Sequence, residues 1–131
     1  MEATASTTTD PPAPDRRRQA LGAYGEGLAA RRLTEAGLVV LDRNWRCDLG
    51  ELDLVLRDGD DLVACEVKTR SGLGHGTPHE AVDATKLDRV RRLGERWAHE
   101  HGVTPAGIRV DLVAVLVPRR GAPEVEHVRG L

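Results

Sequence analysis

Cysteine is scarce in this chain, long apolar runs are missing, and there is no excess of positive charge. Each absence excludes a class of protein. The two cysteines, Cys47 and Cys65, form no CxxC pair and no Cys/His cluster at zinc spacing, which excludes a zinc-ribbon fold. Both read as reduced, buried residues. No stretch approaches the roughly 18 to 20 apolar residues of a membrane span, and no apolar signal-peptide core is present. A cytoplasmic, reducing compartment is therefore expected. The formal net charge of −2 excludes a protein that coats nucleic acid nonspecifically, so any nucleic-acid contact must come from a local patch. Lysine is rarest among the basic residues: of the 19, all are arginine except Lys68 and Lys86.

What is present is a single domain's worth of sequence. A chain of 131 residues with 40% hydrophobic content can bury a modest core without disulfide or metal staples. Residues 1–15 are small, polar and Pro/Thr-rich, and are expected to be a disordered tail ahead of one domain spanning 16–131. Leu21, Tyr24, Leu28 and Leu33 then recur at helical spacing until Gly37, predicting a helix over 17–36. Three successive antiparallel strands follow over 38–46, 51–57 and 62–69, joined by turns rich in Gly and Asp. Residues 71–78 carry three glycines and no apolar period, which predicts a flexible loop. A second helix over 83–101 places Leu87, Val90, Leu93 and Trp97 on one stripe and stops at Gly102. A strand over 108–117 and a short edge strand over 125–128 complete an αβββαβ(β) order, a mixed α/β sheet flanked by two helices.

Side chains alternate across a strand, so Glu51, Asp53, Val55 and Arg57 should share one face, and Leu52, Leu54 and Leu56 the other. In the next strand Leu62, Ala64, Glu66 and Lys68 share a face. If residues 58–61 form the hairpin loop, Arg57 pairs with Leu62 and Asp53 lies directly opposite Glu66. Opposed carboxylates repel and need compensation. Lys68 on the same face, together with a hard cation such as Mg²⁺ or Mn²⁺, would provide it, and that set suits phosphodiester hydrolysis.

The blocks Gly50-Glu51-Leu52-Asp53-Leu54 and Glu66-Val67-Lys68-Thr69-Arg70 resemble those of the YraN-like family of predicted bacterial endonucleases. That family is similar to Holliday junction resolvases and belongs to the PD-(D/E)XK superfamily. The resemblance extends from Tyr24-Gly25-Glu26 through Asn44-Trp45-Arg46 to Arg109-Val110-Asp111. It implies a restriction-endonuclease-like αβββαβ core in which Asp53 and Glu66 hold the metal and Lys68 assists the attacking water. A helix glutamate often joins such a site, and Glu26 holds that position here, with Glu51 as the alternative.

Lys86, Arg89, Arg92 and Arg96 form a basic run on the second helix and are candidates for phosphate contact. His75 and His79 lack a third ligand nearby and read as plain loop residues. Gly22, Gly25 and Gly27 lie inside a helical pattern with no preceding strand, which argues against a dinucleotide loop, and Asp111 is assigned no chemistry. The expected function is a metal-dependent endonuclease acting on DNA, with branched or damaged DNA as candidate substrates. The alternatives are a nucleic-acid-binding module of the same fold with little turnover, and a partner-binding protein whose carboxylates are mere surface charge. A homodimer is open: junction resolvases cut paired strands as dimers, but no self-complementary surface is legible in the sequence.

Overall fold

The structure is a computed structural model that describes residues 13–72 and 83–131. Helix α1 runs over Ala13–Glu35, strands β1 over Val39–Cys47, β2 over Gly50–Asp58 and β3 over Asp61–Ser71, helix α2 over Ala84–Glu100, and strands β4 over Gly107–Val117 and β5 over Glu124–Val128. The five strands form one sheet in sequence order, and all neighbours are antiparallel except β3 and β4. A parallel pair cannot be joined by a tight turn, and α2 lies in the connection between these two strands. The expected α/β architecture is thus observed. Residues 13–15, assigned above to a disordered tail, instead belong to α1. Pro14 stands in the first helical turn, where a missing N–H costs no hydrogen bond, so proline there starts a helix. The histidines His75 and His79 and nearly all of the glycine loop lie outside the described residues.

Both helices stop by the same device. Gly37 (φ +101°) follows α1, and the Leu38 N–H donates to the Leu33 carbonyl. Gly102 (φ +67°) follows α2, and the Val103 N–H donates to Ala98. These bonds satisfy carbonyls that the ended helix leaves bare, and the left-handed backbone they require favours glycine.

One helix covers each face. On one side Ala29, Ala30 and Leu33 of α1 pack on Leu54, Leu56, Val63, Cys65, Val113 and Val115. On the other, Val90, Leu93, Trp97 and Ala98 of α2 pack on Leu52, Val55, Leu62, Ala64 and Val110. Two expectations are corrected. Tyr24 does not face the core and is 49% exposed, because α1 approaches the sheet through small residues that a search for large apolar side chains passes over. Leu52 does not share a face with Leu54 and Leu56: it joins the α2 side with Val55. The alternation breaks between Leu52 and Leu54, at Asp53.

The close approach of α1 is fixed at Gly25, where an added Cβ would collide with the Thr69 side chain of β3. Gly22, one turn earlier, has open space around it. Gly25→Ala should therefore destabilise the fold by about 1–3 kcal/mol through overpacking. Gly22→Ala should stabilise it by roughly 0.5–1 kcal/mol through helix propensity. Urea unfolding of the two variants checks the pair, and equal effects would mean that α1 is not held at Gly25.

Candidate functional site

The β2–β3 hairpin turns tightly at Gly59 (φ +61°), and its ladder pairs Asp58 with Asp61 and Arg57 with Leu62. This is the expected register. The ladder ends at Leu54–Cys65, one pair short of the expected opposition of Asp53 and Glu66. β3 continues beyond that point in parallel pairing with β4 as far as Ser71, so its β2-facing side needs another partner. Asp53 provides it: its Oδ2 accepts the Val67 N–H at 2.8 Å. A side-chain carboxylate thus takes a hydrogen bond that a regular sheet would give to a backbone carbonyl.

The strand on the other side of β2 is irregular at the same level. Between the pairs Arg43–Leu54 and Trp45–Leu52, Asn44 adopts φ +51°, the one positive φ among the described non-glycine residues. Asparagine tolerates this conformation better than most residues, and such backbone is found preferentially at functional positions. The Asn44 side chain donates a hydrogen bond to the Glu26 carboxylate on α1. Glu26 and Gly27 of α1, Arg43 and Asn44 of β1, and Asp53 of β2 line a cleft of about 150 Å³.

Charge at this end of the sheet is unbalanced. Burial raises the Asp53 carboxyl to about 6, and the negative charges of Glu66, Glu26 and Glu51 add to the shift against the stabilising Val67 hydrogen bond. Glu26 is also raised, by burial first, against its hydrogen bond from Asn44 and with repulsion from Glu51. Glu51 forms an ion pair with Arg46 at 3.3 Å, whereas Glu26 lines the cleft beside Asp53. Glu66 is held by Lys86 of α2 at 3.1 Å. Lys68 is lowered by burial and then by neighbouring Lys86, with Glu66 and Asp53 acting in the opposite sense. Both lysines of the chain therefore meet at these carboxylates.

The fold thus brings together Asp53, Glu66 and Lys68, with Glu26 across the cleft, and adds Lys86, assigned from sequence to the basic run. That run does not act as one free surface. Arg92 pairs with Asp88 at 2.9 Å, and Arg96 pairs with Asp48 and Glu100, both at 2.7 Å. Arg89 has no ion-pair partner among the described residues. Sequence reasoning missed Asn44, whose strained backbone leaves no compositional trace.

The donor chemistry fits a small hard cation. A carboxylate raised to about 6 in acidic surroundings has charge to offer, and Mg²⁺ commonly takes one or two carboxylates and completes its shell with water and phosphate. Among the described residues no three acidic, histidine or cysteine side chains converge closely enough to enclose a metal by themselves.

A five-stranded α/β domain with an acidic, lysine-flanked sheet end is the class that fold and site define. The model described as "Uncharacterised protein family UPF0102" matches residues 25–115, and the chain belongs to that family, the YraN-like one whose motifs the hairpin carries. A "UPF0102 protein" from Nocardioides sp. is 62% identical over 114 residues, covering 87% of this chain and 92% of its own length. Another, from Streptomyces griseus, is 61% identical over 115 residues, covering 87% and 97%. A solved structure described as Hjc, a Holliday junction resolvase from Archaeoglobus fulgidus, overlaps 80% of this chain and 75% of its own. Its TM-score is 0.41 at 19% identity, and a likeness that distant carries nothing about the site.

The raised carboxyl of Asp53 has a consequence for stability. Its folded pKa of about 6 lies above the ordinary 3.8, so the folded state binds the proton more tightly. The stability this contributes is complete below about pH 4 and is lost as pH rises through about 6. Asparagine can still accept the Val67 N–H without the charge. Asp53→Asn should therefore be more stable than the parent at pH 8 by on the order of 1–2 kcal/mol, with the gap closing toward pH 4. Urea titrations across that range in chelator measure it, and a variant no more stable at pH 8 would contradict the electrostatic assignment.

Proposed function

We propose that this protein is a divalent-metal-dependent endonuclease that hydrolyses phosphodiester bonds in DNA, with branched or damaged DNA among the candidate substrates. The observation that carries the reading is Asp53: a half-buried carboxylate, fixed by the Val67 N–H where β2 and β3 part, with Glu66, Glu26 and Lys68 around it. The resemblance of its hairpin blocks to PD-(D/E)XK nucleases supports the same chemistry.

Asp53 and Glu66 are the residues that would hold Mg²⁺ or Mn²⁺, and Glu26 rather than the Arg46-paired Glu51 is the third acid. When bound, such an ion polarises the phosphate and lowers the pKa of a coordinated water. Hydrolysis joins a water oxygen to phosphorus, breaks one P–O ester bond and leaves a proton on the departing oxygen. Lys68 offsets negative charge that develops on the phosphate, and its compact ammonium can also orient the water. A hydrogen bond from Asn44 favours the charged form of the Glu26 carboxylate, which lines the cleft. Arg89, exposed and without an ion-pair partner among the described residues, is the arginine of the basic run that is free to meet the phosphate backbone. Arg92 and Arg96 would first have to leave their acidic partners. A binding module with little turnover is the second reading, favoured by the ion pair that already occupies Glu66.

Calorimetry with Mn²⁺ and cleavage of junction and duplex DNA test the assignment together. Asp53→Asn and Glu66→Gln should lose metal affinity and cleavage in parallel, because a hard cation loses one of its few charged ligands. Lys68→Ala should bind metal as well as the parent or better, while cleavage falls by roughly 10²–10³-fold. Metal binding that ignores Asp53 and Glu66 would remove the site. Parental cleavage by Lys68→Ala would remove the role of Lys68, and metal binding without any cleavage by the parent would favour the second reading.

A further inference from the structure

Lys86 is placed where a cation is poorly accommodated. It sits in the first turn of α2, where the positive end of the helix dipole opposes it, and that turn contains no acidic residue. The N-cap carboxylate of Asp83 is spent on the Lys86 backbone N–H, at 2.8 Å. Lys68, the other lysine, adds like charge beside it. The ion pair that holds Lys86 is Glu66 at 3.1 Å, with only 23% and 16% of the two side chains exposed. This is no rim pair of long, wet side chains. Its acid is also one of the two residues that would hold the metal.

We propose that Lys86 is an exchangeable counter-ion, which occupies Glu66 until a divalent cation takes that carboxylate and then moves to a phosphate of the bound nucleic acid. The inference rests on the metal-site reading above and goes beyond it, because it makes metal and DNA binding depend on each other through one side chain. A metal on Glu66 and an ammonium at 3.1 Å from the same carboxylate compete for one anion. Once displaced, Lys86 faces Lys68 and the helix dipole, and a phosphate of the substrate is the anion that relieves it. By linkage, DNA must then tighten metal binding by the factor by which metal tightens DNA binding. A flexible lysine can change partners in this way more readily than the forked arginine used almost everywhere else in this chain.

The test is Mn²⁺ binding, followed by the electron paramagnetic resonance signal of the free ion at fixed ionic strength, with and without phosphorothioate duplex DNA. Without DNA, Lys86→Met should bind Mn²⁺ about tenfold more tightly than the parent, equivalent to about 1.4 kcal/mol. The gain in Mn²⁺ affinity on adding DNA should be smaller in Lys86→Met than in the parent. Lys86→Arg retains the charge and should bind Mn²⁺ no more tightly than the parent, which keeps the test decisive if the methionine variant folds poorly. If the parent binds Mn²⁺ through Asp53 and Glu66 while Lys86→Met shows unchanged affinity and unchanged coupling to DNA, the counter-ion role is wrong and the metal site stands. Tighter binding by Lys86→Arg would overturn it equally. If the parent binds no Mn²⁺ through those carboxylates, both readings fall.

Discussion

One hydrogen bond organises the candidate site: the Val67 N–H given to the Asp53 carboxylate where the β2–β3 ladder stops. Backbone donors inside a fold must be satisfied, and the end of a ladder leaves them without strand partners. Filling that gap with a carboxylate lets β3 remain paired with β4 while it parts from β2. It also fixes the carboxylate's position without neutralising its charge. The break in alternation that sends Leu52 to one core and Leu54 to the other lies at the same residue, opposite the left-handed Asn44. The two helices then deliver their contributions from opposite faces, Glu26 from α1 and Lys86 from α2.

A second buried aspartate shows what a structural carboxylate looks like in this molecule. Asp111 is fully buried, yet its carboxyl is held below its ordinary value. Burial alone would raise it, but two Arg109 nitrogens, the Gly130 N–H and the His127 ring all donate to it. Arg109 also reaches Asp58, which Arg129 grips as well, and the network ties β2, β4, β5 and the C-terminal residues together. Asp53 is less buried, has a single backbone donor and is surrounded by acids, and its carboxyl moves the other way. Carboxylates that stabilise a fold collect donors. One that is left short of them costs stability, and that is the pattern expected of a group retained for what it binds.

Much of this was legible in the sequence. Gly37 and Gly102 marked both helix ends, the hairpin register followed from Gly59 and its flanking aspartates, and the αβββαβ order followed from hydrophobic periodicity. Asp53, Glu66 and Lys68 could be selected because a strand face of acids and a lysine contradicts the apolar pattern around it. Other features were hidden for physical reasons. A period-two pattern cannot register the slip at Asp53, because leucines on either side read the same whichever core they enter. Beside Leu33, the inner face of α1 is built from Gly25, Ala29 and Ala30, whose close packing conveys little hydrophobicity to a sequence scan. Lys86 looked like part of a basic helix face because the partner that captures it is Glu66, which lies on another element.

The central claim is that the carboxylates at the parted end of β2 and β3 form a cation site. Crystals of the protein grown with Mn²⁺, with anomalous diffraction collected at the manganese edge, test it most directly. The account predicts an anomalous peak bonded to carboxylate oxygens of Asp53 and Glu66, with Lys86 displaced from Glu66. Manganese found only elsewhere, with the Lys86–Glu66 pair intact, would contradict it.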